Sequence, residues 1–345
     1  MAFPDGIADF RSDTVSRPTA EMRRAMARAE VGDDVYGEDP TVRALEEEAA
    51  AAVGAGAALF VASGTMGNQI AVNLMTRPGD EILCTEWSHL RNHEHGAASW
   101  LSGVAFRPVP GEDGIITPAQ VEAAAAQGRH HLPGVTLLVW ENTHNVSGGR
   151  VVPLGMMEEG SAAAWRAGMS IHLDGARLFN AAVASGVAPD RFAAQADTVM
   201  ICFSKGLGAP VGSALCGSPD VIAEARRIRK RLGGGMRQAG VVAAAARVGL
   251  RHRHRLADDH QLARRLAAVL EESFPGAVAA PPETNMVLMF EEAGDIRPPG
   301  LAVALGAAGI RVGHIRPGVL RFCTHHDVDG ADVDRVASVA AALTG

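Results

Sequence analysis

Lysine is rare in this chain, and one of its two lysines stands where a reactive amine would be useful. Among 32 cationic residues only Lys205 and Lys230 are lysines. Lys230 lies in the basic run 226–231, which is typical of a solvated helix face. Lys205 instead follows the apolar run 199–203 and precedes small residues, a pattern that predicts a buried strand ending at this lysine. A desolvated lysine can lose its proton and attack a carbonyl carbon, whereas arginine cannot, so Lys205 is the candidate nucleophile.

Three further residues that could take part in chemistry also follow predicted strands. His89 follows the run that ends near Thr85, His144 follows the run that ends near Trp140, and Asp174 closes a third run. Taken singly, a histidine is usually a structural residue whose hydrogen bonds are satisfied within the protein. An aspartate before a helix is as often an N-cap as a functional residue. The carboxyl ends of parallel strands meet at the edge of a sheet where ligands bind. Together with Lys205, these residues therefore indicate an active site at that edge.

An imine-forming lysine combined with a buried aspartate points to pyridoxal 5′-phosphate. A carboxylate such as Asp174 would keep the ring nitrogen of this cofactor protonated, which is the state in which the ring best withdraws electrons. The phosphate would need an anion site, and residues 63–69 follow a predicted strand and open an apolar helix with exposed amides. Such a loop is a weak signal alone. The glycines of 206–212 have the wrong spacing for a dinucleotide fingerprint and precede a strand.

Composition limits the class of protein. With 345 residues and 47% hydrophobic content, the chain can bury one large core and a smaller second one. Its 32 cationic and 39 acidic residues give a net charge of −7, which offers no general attraction to nucleic acid or to an anionic membrane. The basic cluster 251–255 is more typical of a solvated surface than of a phosphate or metal site.

Targeting signals and cysteine usage favour the cytoplasm. No run approaches the ~18 apolar residues that cross a bilayer, and residues 1–5 lack the basic and apolar regions of a signal peptide. The four cysteines are far apart and mostly inside apolar runs. We therefore expect small core residues in a reducing compartment, with no disulfide frame and no metal site.

Apolar runs that predict strands alternate with helical stretches up to about residue 250, which predicts an α/β fold with a mainly parallel sheet covered on both faces. The predicted strands are 57–61, 81–85, 135–140, 169–173, 198–203 and 213–216. The later sequence predicts a smaller α+β domain with a helix at 256–273, strands at 285–290, 310–313 and 319–323, and a last helix from 331. We expect the two domains to span residues 1–250 and 251–345.

Seven short motifs occur in order along the chain. They are Arg11-Ser12-Asp13-Thr14, Gly32-Asp33-Asp34-Val35-Tyr36-Gly37, the loop that begins at Ser63, Glu141-Asn142-Thr143-His144-Asn145, His172-Leu173-Asp174-Gly175-Ala176-Arg177, Ser204-Lys205-Gly206-Leu207-Gly208 and Gly233-Gly234-Gly235-Met236-Arg237-Gln238. This combination is highly specific and resembles the low-specificity L-threonine aldolases, which are fold-type-I, aspartate-aminotransferase-like pyridoxal phosphate enzymes. The resemblance extends from residue 11 to about residue 327.

The resemblance implies roles for residues around the cofactor. Lys205 is implied to form an imine with it, Asp174 to contact the pyridine nitrogen, and His89 to stack on the ring. Gly64 and Thr65 are implied to bind the phosphate. Arg177, the last residue of the motif that contains Asp174, is also counted among the cofactor-binding residues.

The resemblance also implies contacts with the substrate and between subunits. The substrate carboxylate is expected to lie against Ser12, Arg177 and Arg321, and the substrate hydroxyl near His144. Arg237 is implied to reach the phosphate of the neighbouring subunit's cofactor, and Tyr36, the only tyrosine of the chain, to cross the same interface. These contacts imply self-association as a dimer or as a dimer of dimers, that is, a homotetramer.

One position departs from the family pattern. His93 stands four residues after His89, where the family commonly has an aromatic side chain that lines the substrate side. This difference bears on the preference for the β-substituent and on which residue acts as the base.

The activity that the resemblance implies is reversible retro-aldol cleavage of L-threonine, L-allo-threonine and related β-hydroxy-α-amino acids to glycine and an aldehyde. Cleavage requires removal of the β-hydroxyl proton, for which a histidine is well tuned near neutral pH. We favour His144 over His89, because a ring stacked on the cofactor is poorly aimed at the hydroxyl. The alternatives are β-elimination, transamination or racemisation on the same scaffold, or a non-catalytic cofactor-binding protein.

Overall fold

The computed structural model describes residues 6–111, 113–127, 133–291 and 300–344. Apolar β-branched and leucine-rich runs form its buried strands, as their composition predicts. Within these ranges the strands are, in chain order, β1 (Ala8–Asp9), β2 (Ala57–Val61), β3 (Glu81–Thr85), β4 (Ala105–Val109), β5 (Val135–Glu141), β6 (Ser170–Gly175), β7 (Thr198–Cys202), β8 (Ser213–Gly217), β9 (Met286–Phe290), β10 (Ile310–Arg311), β11 (Gly313–Arg316) and β12 (Val319–Cys323).

Helices connect most of these strands, and several begin at a side chain that caps the first turn. Asp39, Ser63 and Ser218 each accept hydrogen bonds from first-turn amides. The helices are α1 (Ala20–Ala27), α2 (Pro40–Ala52), α3 (Gly64–Met75), α4 (His89–Asn92), α5 (Ala97–Ser102), α6 (Pro118–Gln127), α7 (Leu154–Arg166), α8 (Leu178–Ser185), α9 (Pro189–Ala193), α10 (Pro219–Arg231), α11 (Gly240–Arg251), α12 (Leu256–Ser273), α13 (Leu301–Ala307) and α14 (Gly330–Thr344).

In the described part of the chain, seven strands form the main sheet in the order β2-β8-β7-β6-β5-β3-β4. Strand β8 runs antiparallel to both β2 and β7, and the other neighbours are parallel. The prediction of a mainly parallel α/β sheet is therefore confirmed, with β2 and β3 at their predicted bounds. Because β3, β5, β6 and β7 are parallel, the residues that follow them meet at one edge of the sheet.

The edge strand β4 was not predicted from the sequence. Its side chains are exposed or half-buried, so its residues do not form a continuous apolar run. It also contains Pro108, which an edge strand tolerates because one side of its backbone lacks a neighbour. An ion pair from Arg107 to Glu81 joins it to β3.

A second core forms around β9, β11 and β12, which make an antiparallel sheet against α12 and α14. The predicted run 310–313 divides into β10 and the beginning of β11. The N-terminal strand β1 pairs with β10, and Ala8 and Phe10 are buried in this core. The domain boundary at residue 250 stays a prediction. This boundary assigns the N-terminal segment to the large domain, although the segment pairs with β10 in the second core.

All four cysteines are free and buried, as their apolar surroundings predicted. Among the described residues, no helix has the length and apolar character to cross a membrane. Residues 1–5, on which the expectation about a signal peptide depends, lie outside the described residues.

Candidate active site

A cavity of about 280 Å³ collects residues from the ends of several strands. Lys205 follows β7, Asn145 follows β5 and Arg177 follows β6. The cavity brings together many of the residues that the sequence singled out. Its lining consists of Ser12, Thr14, His89, His93, Asn145, Arg177, Lys205, His314, Ile315 and Arg321.

Asp174 is a buried carboxylate held by backbone and side-chain donors. Its Oδ2 accepts a hydrogen bond from Asn68 Nδ2 at 2.9 Å, and its Oδ1 accepts one from the backbone N–H of Ala176 at 3.1 Å. Burial alone would raise the pKa of Asp174, but the charges of His89 and Lys205 hold it below its usual value. Asp174 lies within β6 and is not the N-cap of α8, so the role of helix cap is excluded.

His89 is fixed by two acidic side chains. Its backbone N–H donates to Glu141 Oε2 at 2.7 Å, and its ring Nδ1–H donates to Glu94 Oε1 at 3.0 Å. Asn68 Nδ2 donates at 2.8 Å to the same oxygen of Glu94, so one amide joins the histidine's partner to Asp174. Burial alone would lower the pKa of His89, yet the bond to Glu94 and the charge of Asp174 raise it. Its protonated form is therefore favoured more than that of an ordinary histidine.

Two arginines on the wall of the cavity share one acceptor. Arg177 and Arg321 donate to Asn145 Oδ1 at 3.3 and 3.1 Å. Arg177 also makes a bidentate pair with Asp13, through Nε at 2.8 Å and Nη2 at 2.6 Å. Burial alone would raise the pKa of Asp13, but Arg177 holds it well below its usual range. Asp13 thereby fixes Arg177 in one orientation.

Arg321 has unused hydrogen-bonding capacity. Its Nη2 donates to the backbone oxygen of Arg11 at 2.8 Å, and its buried Nε has no partner among the described residues. Burial and the neighbouring Arg177 lower the pKa of Arg321. An anionic ligand in the cavity would satisfy this donor and offset the repulsion between the two cations, which is what a substrate carboxylate provides.

The predicted phosphate loop lies at the start of α3. Ser63 caps this helix by accepting a hydrogen bond from the N–H of Met66 at 3.2 Å. Gly64 and Thr65 occupy the first two helical positions, where backbone N–H groups lack intrahelical acceptors. A Cβ on Gly64 would lie 3.7 Å from Ser213 Oγ, which is buried and has no partner among the described residues. This orphaned hydroxyl beside a helix N-terminus fits a phosphate group.

His144, which the resemblance places near the substrate hydroxyl, is buried and contacts two hydroxyl groups. The side chain is 0% exposed, and His144 is not among the residues that line the cavity. Its ring nitrogens contact two hydroxyls, Nε2 with Thr85 Oγ1 at 3.0 Å and Nδ1 with Ser147 Oγ at 2.9 Å. An imidazole bonded at both nitrogens holds its strand end in place, so this geometry does not favour contact with the substrate hydroxyl. That role stays a prediction without geometric support.

Tyr36 and Arg237 lie together on the surface of the protomer and outside the lining of the cavity. Tyr36 is 75% exposed, and the Arg237 side chain is 58% exposed and paired with Asp33 at 2.9 Å. Their loops are joined by a backbone bond from the N–H of Asp34 to the oxygen of Arg237. The structure therefore brings these two predicted interface residues together but does not bring them to their own protomer's cavity.

These observations test whether the residues fit pyridoxal 5′-phosphate. The buried carboxylate of Asp174 suits a protonated ring nitrogen, and Lys205 in the cavity suits the carbonyl carbon. The start of α3 and Ser213 suit the phosphate. The residues therefore fit the cofactor.

Several site residues were missed by reasoning from the sequence. Asp13 and Asn145 stand inside motifs that were identified, but their partners are 164 and 176 residues away, at Arg177 and Arg321. The other missed residues are Asn68, Glu94 and Ser213. Asn68 lies five positions after Ser63 in an apolar helix, and a buried polar residue at such a position was the available signal.

Comparisons with known proteins give the family. The profile described as "Beta-eliminating lyase" matches residues 9–293. The low-specificity L-threonine aldolase 1 of Arabidopsis thaliana is 43% identical over 332 residues, covering 94% of this chain and 93% of that one. The low specificity L-threonine aldolase of Escherichia coli K12 is 38% identical over 332 residues, covering 96% and 97%. The chain belongs to the beta-eliminating lyase family, in its low-specificity L-threonine aldolase group. The predicted family is thereby confirmed.

Solved structures agree on the fold. The threonine aldolase of Leishmania major superposes with a TM-score of 0.85 at 24% identity, covering 98% of this chain and 100% of that one. The serine palmitoyltransferase of Sphingomonas wittichii superposes with a TM-score of 0.78 at 18% identity, covering 98% and 88%. The fold-type-I architecture predicted for this beta-eliminating lyase is confirmed.

Proposed function

We propose that this protein is a lyase of the L-threonine aldolase type. It cleaves L-threonine, L-allo-threonine and related β-hydroxy-α-amino acids reversibly to glycine and an aldehyde, with pyridoxal 5′-phosphate as cofactor. The observation that carries the proposal is one cavity that contains Lys205, two arginines and His89. Hydrogen bonds through Glu94 and Asn68 connect His89 to Asp174. The threonine aldolases that match nearly the whole chain support the same reaction.

The chain's own residues would divide the work as follows. Lys205 would hold the cofactor through its amine, Asp174 would keep the ring nitrogen protonated through a charged carboxylate, and His89 would contact the ring. The start of α3, at Gly64 and Thr65, binds the phosphate. The bound cofactor supplies an electron-withdrawing ring that stabilises negative charge at the substrate Cα.

Substrate orientation falls to Ser12, Arg177 and Arg321. Two cations that share Asn145 would grip both oxygens of the α-carboxylate, so the Cα–Cβ bond can be held in the one orientation that favours its cleavage. Because both arginines lie on one wall, they also select one enantiomer. We therefore propose that D-isomers are not cleaved.

We further propose that the active site is shared between two copies of the chain. The loops of Tyr36 and Arg237 are adjacent and exposed, and neither residue lines the cavity of its own protomer, which supports contact with a neighbour. A two-fold dimer, alone or within a homotetramer, would place Arg237 at the other subunit's cofactor phosphate. The amino-acid substrate is the other partner. The four free buried cysteines support a cytoplasmic location, and the proposed reaction supports a role in glycine and amino-acid metabolism.

The experiment that tests the proposed function is a substrate panel. Purified protein loaded with cofactor is given L-threonine, L-allo-threonine, an L-β-phenylserine and the D-threonines, and aldehyde is measured. We expect aldehyde from L-isomers only, and none from the Lys205→Ala control, which lacks the amine. Equal cleavage of D- and L-isomers would contradict the arginine-based orientation, and absence of aldehyde from every substrate would reject the aldolase activity.

A further inference from the structure

Two histidines face the same cavity from one short helix. His89 begins α4 and His93 is its C-cap, so the two rings lie four positions apart on one side of the helix. Their ring centroids are 5.5 Å apart with an angle of 40° between the planes. Both line the cavity that also contains Lys205. Two imidazoles at this spacing can act on one substrate.

The hydrogen bonds of the two rings differ. His89 Nδ1 is committed to the buried carboxylate of Glu94, which itself accepts from Asn68 and from Gln69 Nε2 at 2.6 Å. In the described part of the chain, no side chain bonds to either ring nitrogen of His93, and its ring is exposed to the cavity. A ring nitrogen of His93 is therefore available to accept a proton from the substrate. Both ring nitrogens of His144 are already bonded to hydroxyl groups.

The charges around the two rings differ as well. Burial lowers the pKa of His93, the neighbouring His89 and Arg321 lower it further, and Glu141 opposes them. The pKa of His89 is raised by Glu94, Asp174 and Glu141, against burial and the charge of Lys205. Neighbouring groups whose environments separate their pKa values are suited to opposite proton-transfer roles. These surroundings favour a proton on the His89 ring over a proton on the His93 ring.

We propose that His93 is the catalytic base that accepts the β-hydroxyl proton of the substrate, because its ring faces the cavity beside Lys205 with a ring nitrogen that no described side chain occupies. The inference rests on the proposed aldol cleavage. In that step the substrate O–H bond breaks and its proton passes to a ring nitrogen of His93. The O–H electron pair becomes the second bond of the aldehyde carbonyl, and the pair of the broken Cα–Cβ bond stays with the glycine fragment until a proton replaces it at Cα.

Comparison of two reactions of the loaded enzyme tests this role. Glycine has no hydroxyl, so exchange of its α-proton with deuterated solvent needs the cofactor site but not the hydroxyl base. In His93→Gln and His93→Phe we expect threonine cleavage to fall by about 10²-fold or more. Glycine exchange should stay within a few-fold of wild type. The control is His252→Gln, an exposed histidine paired with Glu21, which should change neither rate.

A second readout does not depend on turnover. In full-length protein carrying labelled histidine, NMR titration should give a lower midpoint for His93 than for His89. Glu94→Gln should lower the midpoint of His89 and raise that of His93, because a less charged His89 repels a proton on His93 less. In the wild type, kcat/KM for threonine should decline as pH falls through the His93 midpoint, and this decline should disappear in His93→Gln.

The outcomes separate this inference from the proposed function. Wild-type protein that exchanges glycine but cleaves no β-hydroxy-α-amino acid would reject the proposed function. If the wild type cleaves threonine and His93→Gln and His93→Phe cleave it at comparable rates, His93 is not the base. Equal loss of cleavage and exchange in both variants, with normal cofactor absorbance, would overturn the inference in favour of a structural role. A His93 midpoint above that of His89 would also overturn it.

Discussion

At the residue scale, the two arginines of the cavity have different structural duties. Arg177 is 5% exposed and bonded bidentately to the buried Asp13, whereas the buried Nε of Arg321 has no partner among the described residues. Removing Arg177 leaves a buried carboxylate without its counter-ion, which costs folding energy. Removing Arg321 leaves no such charge. Both arginines are proposed to bind the substrate carboxylate, but their substitution should have different effects on stability.

We expect Arg321→Ala to lower kcat/KM for threonine. The loss of transition-state stabilisation should be about 2–3 kcal/mol, the value of a lost charge-assisted hydrogen bond. Cofactor absorbance and stability should stay close to wild type. Arg177→Ala should lose activity and also about 3–5 kcal/mol of stability, because Asp13 becomes an unpaired buried charge. Steady-state kinetics and urea unfolding measure these effects, with Arg227→Ala on the exposed face of α10 as the control. Unchanged kinetics in Arg321→Ala would mean that the carboxylate is held elsewhere.

How far the site could be predicted also depends on the residue. Lys205 and Asp174 were predictable because each closes an apolar run and its type suits one chemistry. Glu94 and Asn68 were not, because their partners lie on other elements and only the folded chain brings them together. His144 differs from both groups: its motif was informative, but the rotation that buries its ring between Thr85 and Ser147 is decided by packing, and its role stays a prediction.

At the element scale, α12 joins the second core to the loop of Lys205. Arg255, just before the helix, donates to the backbone oxygen of Gly206 at 2.8 Å and to Asp259 at 2.6 Å. Asp259 is 3% exposed, and its Oδ2 has no partner among the described residues. Burial raises the pKa of Asp259 to about 7, despite Arg255. The helix therefore carries a carboxyl that resists ionisation.

This carboxyl predicts a pH-dependent stability. Its folded-state pKa of about 7 lies above the ordinary 3.8, so between these values the folded protein retains a proton that the unfolded chain releases. Its contribution to the free energy of unfolding therefore falls as pH rises through this window. We expect Asp259→Asn to remove that fall, so that the variant gains stability relative to wild type with rising pH, by about 4 kcal/mol at pH 7.

Urea unfolding of both proteins from pH 4 to pH 8 measures this difference. His172 and His260, whose pKa values burial lowers to about 4, act in the opposite direction in both proteins. Only the difference between variant and wild type therefore isolates Asp259. A stability difference that does not change with pH would mean that Asp259 ionises normally.

Elements differed in how well the sequence predicted them. Strands β2, β3 and β12 were predicted to the residue because buried strands form continuous apolar runs. Strand β4 was missed because it lies half-exposed at the edge of the sheet. The pairing of β1 with β10 joins residues about 300 positions apart. The local pattern of apolar residues cannot predict a contact between such distant parts of the sequence.

At the scale of the whole molecule, the proposed sharing of active sites predicts complementation. Lys205→Ala and Arg237→Ala subunits should each be nearly inactive alone. After random exchange half of the dimers are hybrids, and half of the hybrid sites have both residues native, so activity should recover to roughly a quarter of wild type. Recovery no greater than the sum of the separate variants, with exchange confirmed independently, would place Arg237 outside the neighbour's site.

The central claim is that the bond broken is Cα–Cβ, and the products of one substrate test it most directly. Loaded enzyme is incubated with L-threonine, and all products are quantified by NMR. We predict glycine and acetaldehyde in equal amounts, with the sum of glycine and remaining threonine equal to the starting amount. Formation of 2-oxobutyrate, of a transamination product or of inverted threonine without acetaldehyde would contradict the claim and assign the cavity to elimination, transamination or racemisation.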